Sequence, residues 1–328
     1  MAVELLAAPA PSRSTRRARA VALAVAQGVG TLLVVSLLIF LVTQAMPGDV
    51  ARVVLGTRAT PETLATLREQ LGLDRPIWEQ YGTWLWGVLR GDFGTSLVNG
   101  MPVSELLAGR IRNSLTLSVV AMLIMLPISL LVGIVAAQRR DRAFDQGFLG
   151  TSIVVNATPE FVTGTVLIAL LGTTVFHLLP PVSFIPPGDS PLAHPEAMVL
   201  PVLTLVVSGV MYLGRLVRIA FIDAMSSEYV QTARLKGLGT PRILARHALP
   251  NALGPVIPAA SLVAAYTVGG VVVVEYLFAF PGIGAALVEA VNNRDLPVIQ
   301  AIVLLIAATY YVLNLVADLL AGGEPQGR

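Results

Sequence analysis

The sequence predicts an all-α polytopic membrane protein, with six transmembrane helices and a helical insertion between the first and the second. Three observations point there. The 328 residues are 55% hydrophobic and only 13% charged, against roughly 25% charged in soluble globular domains. Six apolar stretches are long enough to cross about 30 Å of hydrocarbon. Positive charge is spread unevenly over the segments that join them.

Residues 1–20 are polar and basic, with Arg13, Arg16, Arg17 and Arg19. The uncharged stretch Val21 to Pro47 is the first span. It is longer than the apolar region of a signal peptide, so an uncleaved helix is expected. Five further spans fall at roughly 114–137, 147–176, 197–217, 252–280 and 297–320, each with at most one or two charged residues. Pro127, Pro159, Pro201 and Pro258 lie in or near spans, where neighbouring helices can satisfy the freed backbone groups. Residues 114–320 thus form a five-helix core, and 321–328 a short tail.

Six spans put both termini on one side. With the N-terminus in the cytosol, the inner segments carry 14 of the 22 basic residues: four in 1–20, three in 138–146, six in 215–250 and one in 321–328. The outer segments carry eight: seven in 46–113, none in 177–196 and one in 281–296. Long segments cross largely regardless of charge, so the short loops decide the orientation.

The outer segment, 48–113, is predicted to be helical. Thr60-Pro61-Glu62 combines a capping hydroxyl, a proline at the first position and an acid in the first turn. Gly72 should end that helix. Asp74-Arg75-Pro76 starts another, and Gly91 should stop it. Ile77, Tyr81, Trp84, Leu85 and Val88 recur at helical spacing along it. All three tryptophans, Trp78, Trp84 and Trp86, fall here, as suits the headgroup layer. A helix lying on the outer membrane surface and an amphipathic helix packed on its own subunit both fit.

The longest inner segment, 215–250, reads as helix, glycine turn, helix. Glu228 favours a helix start through the dipole. Gly237 and Gly239 permit positive φ. Thr240 can cap and Pro241 begin a second short helix, which Pro250 should end. The product is a knob with basic and apolar faces between two spans.

Here the chain resembles the membrane subunits of bacterial ABC importers, whose mark is a cytosolic loop of pattern E-A-A-x3-G-x9-I-x-L-P. Gln231, Thr232 and Ala233 stand at E-A-A, Gly237 at the glycine, His247 at the isoleucine, and Leu249-Pro250 close it. The spacing matches in full. Gln231, Thr232 and His247 depart from the consensus, and Tyr229-Val-Gln-Thr-Ala-Arg-Leu-Lys-Gly-Leu238 resembles the dipeptide, oligopeptide and nickel branch. Met46-Pro-Gly-Asp49, Leu71-Gly-Leu-Asp-Arg-Pro76, Gly91-Asp-Phe-Gly-Thr-Ser96, Asn113-Ser-Leu-Thr116 and Val274 to Gly284 are similar to the same branch. The tail, Ala321 to Arg328, departs from its usual aspartate-proline-arginine ending.

The resemblance implies a multi-pass protein of the cell membrane, embedded in lipid, that works in a heteromeric complex. The complex would contain a second homologous permease subunit, two cytosolic ATPase subunits and an extracytosolic solute-binding protein. Cargo would be peptides or similar small solutes. It further implies that Glu228, Tyr229, Thr232, Ala233, Arg234, Lys236, Gly237, Gly239, His247, Leu249 and Pro250 form the coupling loop. Ala233 and Gly237 suit close packing against the ATPase, and Arg234 and Lys236 suit its acidic groups. The inner loop Gln138 to Gln146 is a second contact candidate. Trp78, Trp84, Trp86, Asp92 and Phe93 are candidates for docking the binding protein.

The single lysine, Lys236, precedes Gly237 rather than following a glycine, so no phosphate-cradling G-x-x-x-x-G-K-[ST] loop exists. ATP and magnesium are therefore expected on the partner ATPases, with no cofactor or metal bound by this chain. With no cysteine, disulfides, cysteine–zinc sites and thiol nucleophiles are excluded. His177, His194 and His247 lack metal-ligand spacing, and no catalytic residues are expected. His177 and His194 share an outer loop with Asp189 and Glu196, where a solvated loop is the simpler reading. The arginines form no dense stripe, against nucleic-acid binding. Charges inside spans mark functional candidates. Glu275 either faces the translocation pathway or bonds a neighbouring helix; Glu160, after Pro159, either lines the pathway or satisfies freed backbone donors. Asp318 is placed at the inner interface. An ion-gradient-driven secondary transporter is the alternative function, and an intramembrane enzyme a third.

Overall fold

In a computed structural model, residues 13–45, 55, 59–70 and 74–320 are described. The expected first motif at Met46 to Asp49, the stop at Gly72 and the tail from Ala321 lie outside those residues. Among the described residues every regular element is helical, apart from an isolated bridge between Thr95 and Pro102.

Helix α1 (Arg13–Gln44) begins within the basic segment and carries the first span, Val21–Gln44. Leu33, Val34, Leu38 and Val42 stand exposed along it, which lipid tolerates as well as protein does. Among the described residues, two short helices follow. α2 (Pro61–Gln70) starts as expected. The Thr60 hydroxyl accepts the Thr63 N–H at 3.2 Å, and the Thr63 hydroxyl accepts the Thr60 N–H at 2.9 Å. α3 (Ile77–Leu89) ends at Gly91, whose φ of +82° suits glycine.

α4 (Val103–Gln138) starts eleven residues before the expected span at 114. Val103 and Leu107 are buried against Ile299 and Ile302, so the first turns of this helix belong to the bundle rather than to the insertion.

The third crossing also differs from expectation. In place of one helix over 147–176, α5 (Ala143–Ala157) and α6 (Glu160–Leu167), the latter continued by a π-turn at Ile168–Thr173, meet at 108°. Thr158, held in extended backbone ahead of Pro159, makes the break (φ −94°, ψ 129°). α7 (Pro195–Ser226) crosses next.

α8 (Glu228–Leu235) and α9 (Thr240–Ile243) form the knob. α9 passes through a π-turn at Leu244–Ala248 into α10 (Leu249–Leu277), so one apolar rod runs over Pro241–Leu277. The stop expected at Pro250 does not occur. Pro250 lies in the first turn of α10, beside a π-turn that already interrupts the regular hydrogen-bond ladder. α11 (Ile283–Asn293) and α12 (Leu296–Leu320) are the last described elements.

α4 and α7 pack along each other, α7 against α10, and α10 and α1 against α12. Leu117, Met125, Leu200, Leu213, Val217 and Phe278 fill the centre. A Cβ at Gly133 would meet the Gly214 carbonyl at 2.5 Å. The α4–α7 approach therefore depends on small residues, as membrane helix pairs do.

Candidate functional site

Three places bring the predicted residues together. The first is the knob. Ser227 leaves α7 in extended backbone (ψ 154°) and α8 restarts at Glu228. Gly237 takes φ +76°, which an L-residue resists. Gly239 does not share that conformation; its carbonyl accepts the N–H groups of Arg242 and Ile243 at 3.0 and 3.1 Å and so caps α9. The side chain of Thr240, expected to cap, lies outside the described residues.

Val230, Ala233 and Ile243 are buried together, with Met225 and Leu238 against them. Ala233, expected to meet the ATPase, instead closes the knob's own core. Glu228, Tyr229, Thr232, Arg234, Lys236, Gly237, Gly239 and Pro250 are exposed, while His247 and Leu249 are half-buried. Leu235, which sequence reasoning passed over, is 90% exposed between Arg234 and Lys236. Its helical position resembles that of any core leucine, and only the packing of Val230 and Ala233 reveals that it points away.

The loop 138–146 is tied to the helix that leads into the knob. Arg218 of α7 grips Asp145 with two hydrogen bonds, 2.5 Å from Nε and 2.6 Å from Nη2. Asp145 is 1% exposed and also accepts the Asp141 N–H at 2.9 Å. Removing either partner would strand a buried charge. These partners are 73 positions apart, and no local signal linked them.

The second place is the interior. Glu275 bonds a neighbouring helix, the second of its expected roles. It is fully buried, and its Oε2 accepts the Gly284 N–H at 2.7 Å. The Ser114 hydroxyl accepts the adjacent Ile283 N–H at 2.8 Å. Together they satisfy the start of α11, where a negative charge is favourable. The Asn113 side chain donates to the Pro281 carbonyl at 2.9 Å. A Cβ at Gly284 would sit 2.3 Å from the Val272 backbone. Two motifs far apart in sequence, Asn113 to Thr116 and Val274 to Gly284, thus interlock.

Glu160 does not take the backbone role expected of it. The N–H groups of Val162 and Thr163 are taken by the Pro159 carbonyl at 2.9 and 3.3 Å, and the carboxylate caps neither. Among the described residues it makes no hydrogen bond or ion pair. It lines a cavity of about 540 Å³ between α4, α5, α6, α7 and α10.

The third place is the opposite face. Ser96 donates to Asp295, and the Leu97 N–H reaches the same carboxylate at 3.0 Å. Phe93 is half-buried against the α4–α12 cluster, and exposed Asp92 accepts the Gly94 N–H at 2.9 Å. Gly91 to Ser96 is therefore an anchor in this chain.

Trp84 and Tyr81 lie against Phe40 of α1 at centroid distances of 5.7 and 5.4 Å. Trp78 and Trp86 stay 72% and 57% exposed. α3 thus packs one face on α1, as one of the two readings expects, and turns Trp78 and Trp86 outward.

Arg110 pairs with Glu289 at 2.9 Å, and Arg112 reaches the carbonyls of Gly188 and Asp189. These bonds frame a second cavity of about 960 Å³. His194 pairs with Asp189 at 2.9 Å, a local loop contact, and among the described residues no cluster of three metal-ligating side chains forms. Asp318 is exposed.

Comparison with known proteins agrees with this architecture. Residues 129–322 match the family described as binding-protein-dependent transport system inner membrane component, and residues 19–120 match its N-terminal companion. The chain is 35% identical over 296 residues to a protein of Brucella suis biovar 1 named as a peptide transport system permease, covering 90% of this chain and 94% of that one. It is 37% identical over 292 residues to the glutathione transport system permease protein GsiC of Salmonella choleraesuis, covering 89% and 92%. The chain, a multi-pass membrane protein, belongs to the family of inner membrane components of binding-protein-dependent transport systems.

Proposed function

We propose that this chain is one pore-forming half of an ATP-driven importer for peptides or similar small solutes, paired with a second permease subunit. Two ATPase subunits sit on the cytosolic side and a solute-binding protein on the other, with both termini of this chain cytosolic. The basic loops at 138–146 and 215–250 support that orientation. The relatives named for peptide and glutathione transport support the cargo class.

The observation that carries the mechanism is the knob. Its core is already closed by Val230, Ala233 and Ile243, yet it holds Leu235 at 90% exposure beside two cations. An apolar side chain so placed is explained by a partner groove that takes it. α9 is continuous with α10 through the π-turn. A push on the knob therefore acts on a membrane-crossing rod, and Arg218–Asp145 carries it to the neighbouring loop. No residue of this chain does bond chemistry; the work is motion between two accessible states.

The exposed tryptophans Trp78 and Trp86, with Asp92, supply the surface for the binding protein. Vesicles containing the full assembly should accumulate peptide only when ATP is supplied on the knob's side. Uptake driven by a proton gradient in vesicles lacking the ATPases would point to the secondary-transporter alternative.

A further inference from the structure

The cavity beside α6 has a chemical bias. Among the described residues that line it, Glu160 carries the only formal charge, with no arginine, lysine or histidine. Three other polar side chains on its wall keep free acceptor oxygens. The Asn156 amide donates to the Ser152 carbonyl at 2.7 Å, leaving its oxygen. The Thr267 hydroxyl donates to the Val263 carbonyl at 2.8 Å, leaving its lone pairs. The Ser208 hydroxyl oxygen is buried with no partner. Tyr212 and Tyr266 add aromatic rings to the same wall.

The Glu160 carboxylate lies against Gly270, where a Cβ would come within 2.2 Å of its oxygen. The glycine leaves the carboxylate room inside the cavity. A bend of 108° at Thr158-Pro159 is what turns Glu160 toward α7 and α10.

A wall that accepts hydrogen bonds, carries one negative charge and presents aromatic rings is complementary to a compact cation with several N–H donors. A single carboxylate among hydroxyls and an amide is a poor cage for a divalent metal, which asks for more oxygen or nitrogen ligands. We propose that Glu160, Ser208, Asn156 and Thr267 form a transient subsite for a primary ammonium group of the cargo, the free amino terminus of a peptide being the form that fits the proposed function. Only the transport role is taken from that function; the charge bias of the cavity stands on the side chains.

The chain has no cysteine, so Asn156→Cys gives one reporter thiol at the cavity wall, read by mass on this subunit in the complete assembly. The probes are 2-aminoethyl and 2-sulfonatoethyl methanethiosulfonate, each rate divided by that with free cysteine. With Glu160 present, the cationic reagent should be favoured by about tenfold or more, and Glu160→Gln should bring the ratio near unity. No preference, a preference that survives Glu160→Gln, or no modification in any nucleotide state would overturn the subsite.

A second arm measures ATP-driven uptake of trialanine and N-acetyltrialanine at limiting concentration. Glu160→Gln should cut the former about tenfold and the latter less than twofold, and Ser208→Ala should move both in the same direction by less. Equal losses would also overturn it. Failure of the unmodified assembly to take up either peptide would contradict the peptide reading alone, leaving the labelling arm to decide the subsite.

Discussion

Replacing Leu235 by alanine should weaken the hold of the ATPase subunits on this chain while leaving the chain itself intact. The side chain is 90% exposed and touches little of the knob, so its loss costs the fold almost nothing. If a groove on the motor buries it, alanine forfeits three carbons' worth of transfer. At about 0.8 kcal/mol per buried carbon this is about 2.4 kcal/mol, roughly sixtyfold in affinity. The assay is a titration of purified ATPase subunits onto the permease pair in lipid nanodiscs, read by fluorescence anisotropy. Val230→Ala is the contrasting variant: Val230 is fully buried in the knob core, and its loss should lower the thermal midpoint of the complex. Unchanged ATPase affinity in Leu235→Ala would refute the reasoning, because the exposed leucine would then have no partner.

Three further perturbations follow from the contacts. Arg218→Met should strand the buried Asp145 carboxylate and lower assembly stability by about 3–5 kcal/mol, and adding Asp145→Leu should recover much of that; strictly additive losses of thermal stability would contradict the pairing. Gly284→Ala drives a Cβ to 2.3 Å from the Val272 backbone and should cost about 1–3 kcal/mol or more, seen as loss of folded protein after detergent extraction. Glu275→Gln should weaken the charge at the start of α11 by about 0.5–2 kcal/mol yet leave the uptake ratio of free to acetylated peptide unchanged; an altered ratio would return Glu275 to the pathway.

The spans were legible because lipid leaves no choice: every long apolar run in this chain must be a helix whose backbone bonds close within it. What hydropathy could not report was straightness. Pro159 bends its crossing by 108° while Pro250 rides inside a continuous rod, and the difference lies in the Thr158 backbone and the π-turn at 244–248 rather than in the prolines. The knob was legible as helix, glycine turn, helix, because Gly237 carries a local backbone demand. Which of its faces is outward was not, since Ala233 and Leu235 are both apolar and only Ile243, folding back from α9, decides between them. Glu160 and Glu275 were legible as unusual. Their fates differ in their partners: the Gly284 N–H holds Glu275 to the start of α11, whereas Glu160 makes no hydrogen bond among the described residues. Asp145–Arg218 and Ser96–Asp295 join positions 73 and 199 apart, beyond any local pattern.

The most direct measurement is proximity at the tip of the knob. Leu235→Cys, the sole thiol of this chain, carrying a short photoactivatable cross-linker in the complete assembly, should form a covalent adduct with an ATPase subunit. The yield should change between nucleotide-free and ATP-bound states. Adducts only with water or lipid, and a thiol as reactive to a soluble maleimide in the assembly as in the isolated permease pair, would contradict the account.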